Sequence, residues 1–543
     1  MGVGETTTDA ARDVDGEDDA RPLGLTLASG AVAALVVTPL TWLVLAALEV
    51  APGRALELLT RDTTVEVFLN SAVMVTAVTV LCVLVGVPLA WLTVRTDLPF
   101  ARFWSVAVTL PLVIPSYLGA FAFISAFGPR GRLQDVLAPY GVERIPSIYG
   151  LEGTIFILTL YTYPYVFITT RASLKRLDTQ LVDAARTLRH DRWGAFRRVV
   201  VPQIRPAVAA GTLLASLYAL ADYGTPALMR YQVFTNVIFT EQRYNPDLAA
   251  LLSLQLVGVT AFILAVEYRT RGSERLYTRQ GGYRGDSVSL GRWRWPATLV
   301  PATVAALALV VPIGILLLWL VDGGTASRAG VAFDPIYALH SVEMAFWAAL
   351  AAGLLGLPVA YLSARHRGRL SGLLERATYV GYAIPGVVVG LALVFFSTRT
   401  GSVLPAGVEL YHTLPLLIFA YVVRFIPQSV GSTRASFLQV DPKLPEAART
   451  LGRTSLGAFR SVTFPLVAPG LLAGVALVFL TTMKELPVTL MLRPSGYETL
   501  VTFIWAARKN YAYGEAALPA LLLVGISALS IGLILRGEGY DVE

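Results

Sequence analysis

The chain has 543 residues, 55% of them hydrophobic and only 15% charged, with a mean hydropathy of +0.61. Soluble domains carry about a quarter of their residues as charges, so a water-soluble core of this length is excluded. Arginine supplies 40 of the 44 basic residues behind the net charge of +7, mostly in loops that alternate with poor ones. That pattern fits a basic membrane surface and gives no sign of a nucleic-acid partner.

Residues 1–25 form an acidic tail, with seven acids against two arginines in the first 24 positions, and read as disordered and cytoplasmic. No basic segment precedes the first apolar run, so a cleaved signal peptide is not expected. Apolar runs then fall at 27–49, 67–94, 103–127, 153–170, 207–229 and 249–267, and again at 297–321, 339–363, 377–397, 413–430, 470–490 and 514–535. About twenty apolar residues cross a bilayer as a helix, and lipid-exposed backbone must bond within its own segment. The fold class is therefore an all-α integral membrane protein with twelve transmembrane helices. Cys82 is the single cysteine, inside an apolar run, so no intrachain disulfide forms. His190, His340, His366 and His412 are scattered without metal-ligand spacing, and no metal site is assigned.

Loop charge sets the orientation. The segment 171–205 holds nine Lys and Arg residues, 268–296 holds seven and 364–376 four, whereas 51–66, 230–248, 322–338 and 398–412 hold one or two each. Both termini are expected in the cytoplasm of a multi-pass protein in the cell membrane.

A shift of 263 lays Pro164–Pro206 over Pro427–Pro469 without a gap, with 19 of 43 positions identical. A shift of 270 pairs Asn70-Ser71 with His340-Ser341, Gly86 with Gly356, Pro88 with Pro358, and Ile114-Pro115 with Ile384-Pro385. The two shifts differ by seven because the first half has a longer loop near 128–150. Six spans per half make the repeat parallel, about an axis along the membrane normal. The expected divisions are the tail 1–25, a first half 26–268, a basic link 269–296, a second half 297–536 and a cytoplasmic tail 537–543.

The best-matched segments are DAARTLRHDRWGAFRRVVVPQIRP (183–206) and EAARTLGRTSLGAFRSVTFPLVAP (446–469), each between the fourth and fifth spans of its half. Asp183 or Glu446 begins a short helix, where an acid suits the dipole. Ala184-Ala185 and Ala447-Ala448 leave a smooth face for another protein. Leu188, Phe196, Leu451 and Phe459 supply apolar anchors, Gly194 lies in the well-matched stretch GAFR, and Pro202 and Pro465 mark a break before membrane re-entry. This pattern resembles the EAA loop of ABC-importer permeases, of the form E-A-A-x-x-x-G followed by I-x-L-P. The resemblance implies coupling helices that dock two copies of a separate ABC ATPase subunit, with solute delivered by an extracytoplasmic binding protein. The second copy keeps Glu446 and Gly452, while the first departs at Asp183 and Arg189. No lysine follows a glycine, so the chain has no G-K-[ST] phosphate loop. It is not expected to be an enzyme or to bind a cofactor, and ATP is used by the partner.

LADYGTPALMR (220–230), MKELPVTLMLRP (483–494) and YVVRF (421–425) resemble segments of fused ferric-iron permeases. The resemblance implies ferric iron as cargo, and related fused permeases serve thiamine, phosphonates and other solutes. The 263 shift places Asp222 over Glu485 and Arg230 over Arg493. Acids at this depth face a cavity or a partner, and two readings stay open. Either the pair relays a hard cation, or Asp222 pairs with Arg230 and Glu485 with Lys484 or Arg493. Arg424 and Glu343 read as interfacial. An ion-coupled secondary transporter would share the spans and the repeat but leave the paired loops idle. A membrane enzyme would need a catalytic constellation that the residues do not provide.

Overall fold

A computed structural model describes residues 23–128, 138–141, 147–177, 194, 196–270, 288–322, 332–366, 368–400 and 410–537. Among these no strand forms, and a single isolated bridge joins Thr96 to Val288. In hydrocarbon every backbone N–H and C=O needs a partner, and a helix supplies it locally.

In the first half, α1 (Leu23–Leu48) is followed by a short α2 (Pro52–Thr60) and the long α3 (Asp62–Arg95). Next come α4 (Ala101–Ala107), α5 (Ser116–Phe127), α6 (Leu151–Arg176) and α7 (Val201–Ala221), the last preceded by a π-turn at Phe196–Val200. The short α8 (Gly224–Leu228) and α9 (Phe234–Tyr244) lead into α10 (Pro246–Thr270). The second half opens with α11 (Leu299–Ala305) and α12 (Val311–Asp322), joined by a π-turn. It continues with α13 (Ile336–Arg365), α14 (Arg369–Ala383), α15 (Gly386–Thr400) and α16 (Leu414–Gln439). The chain then forms α17 (Lys443–Thr450), α18 (Ser455–Ala458), a π-turn at Phe459–Thr463, α19 (Phe464–Met483), α20 (Pro487–Leu492), α21 (Leu500–Lys509) and α22 (Tyr513–Gly537).

Ten of these helices are long and apolar enough to cross a bilayer, and twelve spans result when each of two bent pairs counts as one. The third and ninth predicted spans are those pairs: α4–α5 turns by 91° and α14–α15 by 103°. Pro115 and Pro385 explain the bends. Proline has no N–H to continue a helix and forces its predecessor into extended backbone, and Ile114 and Ile384 have ψ of 123° and 134°. The fifth and eleventh spans also differ from expectation. They begin earlier and end at Ala221 and Met483, and the short α8 and α20 follow each break.

The repeat is visible in hydrogen bonds. Ser71 Oγ accepts from Phe234 N at 3.1 Å and Ser341 Oγ from Leu500 N at 2.8 Å, so the matched serines cap α9 and α21. The residue before each serine does a second stitch: Asn70 Nδ2 donates to Gln232 O, and His340 Nδ1 bonds Glu498 O. Each half's first helix packs on the other half, α1 on α14 and α15, α12 on α5. Arg399 adds a bidentate bond to Glu49 across the halves, at 2.9 and 2.7 Å. Exposed Leu84, Leu354, Leu472 and Phe262 would be a liability in water and face lipid here.

Candidate functional site: a coupling helix and the repeat-related carboxylates

The second coupling segment is a discrete helix. Asp441 Oδ1 accepts from Lys443 N at 2.9 Å, and Glu446 sits in the first turn of α17, next to the positive end of the dipole. Gly452 ends it at φ +86°, a left-handed conformation that costs glycine nothing. Arg453 N then bonds Ala448 O at 3.1 Å and Gly452 N bonds Arg449 O at 3.0 Å, closing the orphan carbonyls. The side chains of Leu444, Leu451 and Leu456 are exposed, Leu451 at 85%. Of the first copy, Gly194 and Pro202 lie within the described residues, while Asp183, Ala184, Ala185, Leu188 and Arg189 lie outside them.

Two expectations for this segment need correction. Pro202 and Pro465 do not break the chain, which runs as continuous helix from Phe196 to Ala221 and from Ser455 to Met483. Each proline lacks the N–H that the carbonyl four residues back requires, and the π-turn preceding it shifts the ladder by one. Phe196 and Phe459 are not free anchors for a partner. They pack inward on repeat-related aromatics, Phe196 on Trp91 with ring centroids 4.9 Å apart and Phe459 on Tyr361 at 5.9 Å.

The entrance of each coupling loop is tied to the same helix as its exit. Arg95 at the end of α3 donates to Leu177 O at 3.2 Å, and Arg365 at the end of α13 donates to Val440 O at 2.9 Å. Leu177 and Val440 are the first residues past α6 and α16. The signal existed in the sequence, since Arg95 falls on Arg365 at the 270 shift, but nothing there shows which carbonyl an arginine reaches.

Deeper in the membrane, Asp222 and Glu485 sit at the breaks after α7 and α19. Ser116 Oγ donates to the Asp222 carboxylate, whose Oδ1 also accepts from Thr225 N at 2.8 Å. Glu485, 7% exposed, receives Arg424 Nη1 at 3.3 Å and Val488 N at 3.3 Å. Arg424 is itself only 16% exposed, so the residue that the sequence suggested as interfacial is a half-buried counter-charge to Glu485. Gly386 makes room for it: a Cβ there would collide with the guanidinium and meet Glu485 Oε1 at 2.6 Å. Ser116 and Gly386 are repeat-related, each the first residue after the proline bend, so one half fills this place with a hydroxyl and the other leaves it open to an arginine.

None of the local pairings expected for the acids forms. Arg230 stacks over the Tyr149 ring at 4.5 Å, Arg493 bonds Glu498 at 2.7 Å, and Lys484 Nζ donates to Leu112 O of the other half at 2.9 Å. A Cβ on Gly224 would meet Tyr117 Cβ at 2.5 Å and Leu486 Cδ2 at 3.2 Å, so the breaks that carry Asp222 and Glu485 approach each other across the halves beside Tyr117 and its hydroxyl. That buried hydroxyl has no hydrogen-bond partner among the described residues. Tyr218 adds a further hydroxyl, 3.3 Å from Ser116 Oγ. Glu343 is exposed and accepts from Tyr497 Oη at 3.0 Å. Among the described residues no three His, Cys, Asp or Glu side chains converge to hold a metal ion.

Comparison with known proteins follows the same division. The family described as binding-protein-dependent transport system inner membrane component matches twice, over residues 82–323 and 354–537. The chain is 30% identical over 520 residues to the Fe(3+)-transport system permease protein FbpB 2 of Haemophilus influenzae, covering 94% of this chain and 98% of that protein. It is 24% identical to the ferric transport system permease protein FbpB of Actinobacillus pleuropneumoniae, over 88% of this chain and 72% of that one. A probable molybdenum ABC transporter permease of Haloferax volcanii is 30% identical over 37% of this chain and 75% of its own. The double match over both halves and the 30% identity along nearly the whole chain lead to one conclusion: the chain belongs to the binding-protein-dependent transport system inner membrane components, as a fused, duplicated permease.

Proposed function

We propose that this permease carries ferric iron, delivered by an extracytoplasmic binding protein, and that two copies of a separate ABC ATPase subunit dock on its coupling segments. ATP is used by those subunits, and the permease itself binds no cofactor. Both termini, α17 and the first coupling segment (Asp183, Ala184, Ala185, Gly194, Pro202) face the cytoplasm. The observation that carries the cargo reading is the pair of repeat-related carboxylates. Asp222, Glu485, Ser116, Tyr117 and Tyr218 offer hard oxygen groups near the contact of the halves, in a chain similar along nearly its whole length to an Fe(3+) permease. Hard cations prefer oxygen ligands.

The charges are balanced in a way that suits passage over storage. Arg424 occupies Glu485 in this conformation, so the carboxylate becomes available only when α16 and the break after α19, both in the second half, move apart. A cation arriving from its carrier then meets two acids, and the return of Arg424 displaces it. Coupling runs from α17 through the Arg365 and Phe459 contacts into α13 and α19.

Proteoliposomes holding the permease, its ATPase and its binding protein test the proposal. ATP-dependent uptake of labelled iron is expected. Uptake of thiamine or a phosphonate without iron overturns the cargo, and uptake driven by an ion gradient without ATP overturns the importer.

A further inference from the structure

The link between the halves is not a loose tether where it rejoins the membrane. Val288 N bonds Arg95 O at 2.8 Å and Asp97 N bonds Val288 O at 3.3 Å, forming the bridge between Thr96 and Val288. Asp97 Oδ1 also accepts from Leu290 N at 2.8 Å. These bonds fix Val288 and Leu290, just before Arg292-Trp293-Arg294-Trp295, to the α3–α4 turn, where Phe100 caps α4 and Arg102, Phe103 and Trp104 follow on it. By the count of crossings, this is the membrane surface that also bears α17.

The side chains in this patch are open. Phe100 is 70% exposed, Phe103 62%, Trp293 62% and Trp295 65%. Arg102, Arg292 and Arg294 are exposed and form no ion pair among the described residues. The nearby Asp97 carboxylate is already taken by the link backbone. Trp104 Nε1 is buried from water without a hydrogen-bond partner among the described residues. Phe100 holds its place at φ +56°, a left-handed conformation disfavoured for any side chain. The equivalent corner of the second half, 365–373, has three arginines but no Trp, Tyr or Phe.

Aromatic rings settle at the headgroup level of a bilayer, and arginines there attract anionic lipid. A soluble protein partner would leave the neighbouring exposed apolar side chains, Val106 of α4 and Leu110 just past it, uncovered. We propose that Arg102, Arg292 and Arg294, set among Phe100, Phe103, Trp293 and Trp295, form a binding surface for the headgroups of anionic phospholipid in the leaflet that faces α17. The proposal is independent of the cargo.

Electron spin resonance of the full chain in phosphatidylcholine bilayers, with spin-labelled phosphatidylglycerol or spin-labelled phosphatidylcholine as probe, tests it. Wild type should prefer the anionic probe, and each Arg→Gln change should lower the preference by up to about fivefold. The triple variant R102Q/R292Q/R294Q should lose most of it, and R102K/R292K/R294K should keep it. The control R369Q/R376Q, on the same surface of the second half, should change it little. An unchanged preference in the triple Gln variant overturns the proposal, as does an equal loss in the control. Should the triple variant fail to fold, W293A/W295A provides the same reading. A thermal stabilisation by inorganic phosphate in phosphatidylcholine nanodiscs, equal to that from phosphatidylglycerol, would assign the surface to free phosphate and overturn the lipid assignment.

Discussion

Arg365 donates to the carbonyl of Val440 at 2.9 Å, and the repeat-related Arg95 does the same to Leu177 at 3.2 Å. Both bonds fasten the start of a coupling segment to the helix whose aromatic, Tyr361 or Trp91, holds its end. A push on the segment therefore moves the long α3 or α13 with it. Arg365→Ala should leave the ATPase bound while cutting its stimulation by loaded binding protein several-fold, the loss of a charged hydrogen bond being worth about 1.5–3 kcal/mol. Co-purification and ATPase assays on the same preparation check this. Normal stimulation in an Arg95→Ala, Arg365→Ala double variant would sink the idea.

The Arg424–Glu485 pair is the largely buried ion pair at the second half's carboxylate. Removing one partner of such a pair strands the other, at a cost of about 3–5 kcal/mol. Arg424→Met alone should thus melt at a lower temperature than Arg424→Met with Glu485→Gln. If the two variants melt together, the pair contributes little.

Iron transport is expected to depend on charge at these carboxylates. Glu485→Gln alone would strand Arg424, so the charge is removed together with its partner: Arg424→Met with Glu485→Gln should assemble and hydrolyse ATP at the basal rate while labelled-iron uptake falls by an order of magnitude or so, each lost charge–charge contact being worth a few kcal/mol at low dielectric. Tyr117→Phe removes a hydroxyl with no hydrogen-bond partner among the described residues and should spare stability while reducing uptake. Full uptake in Asp222→Asn, Glu485→Gln would leave both acids structural.

The two coupling segments are expected to be unequal. Glu446 lies in the first turn of α17 and Gly452 ends it at φ +86°, whereas the first copy has Asp183 and Arg189. Glu446→Lys should weaken ATPase co-purification more than Asp183→Lys does. Gly452→Val should weaken it as well, since a β-branched residue in the left-handed region costs about 1–2 kcal/mol. Equal losses from the two Lys substitutions would count against the asymmetry.

Orientation is tested by labelling. With Cys82→Ser as background, a cysteine at Ser455 should resist an impermeant thiol reagent applied to intact cells and react after the membrane is opened. Cys82 itself is buried beside Thr162 Oγ1 at 3.1 Å, so the background change should be mild. Labelling of Ser455→Cys from outside would invert the topology.

What could be read from the sequence alone was whatever repeats or runs: the apolar stretches, the alternating arginine loops, the 263 and 270 shifts, and through them the duplicated halves and the α17 segment. These signals are local or translational, so no folding need be known to see them. The tertiary structure decided which charges meet. Arg424 lies 61 positions from Glu485, and Ser116 lies 106 from Asp222. Arg230 and Arg493 stand closer in sequence to the acids, yet they turn to Tyr149 and Glu498. The reason is the proline bends. Ile114-Pro115 and Ile384-Pro385 were legible as matched pairs, but only the folded chain shows that turning by 91° and 103° brings Ser116 and Gly386 to the acids. Partner choice inside a membrane depends on which side chains share a depth and face the same break, and spacing along the chain does not encode that.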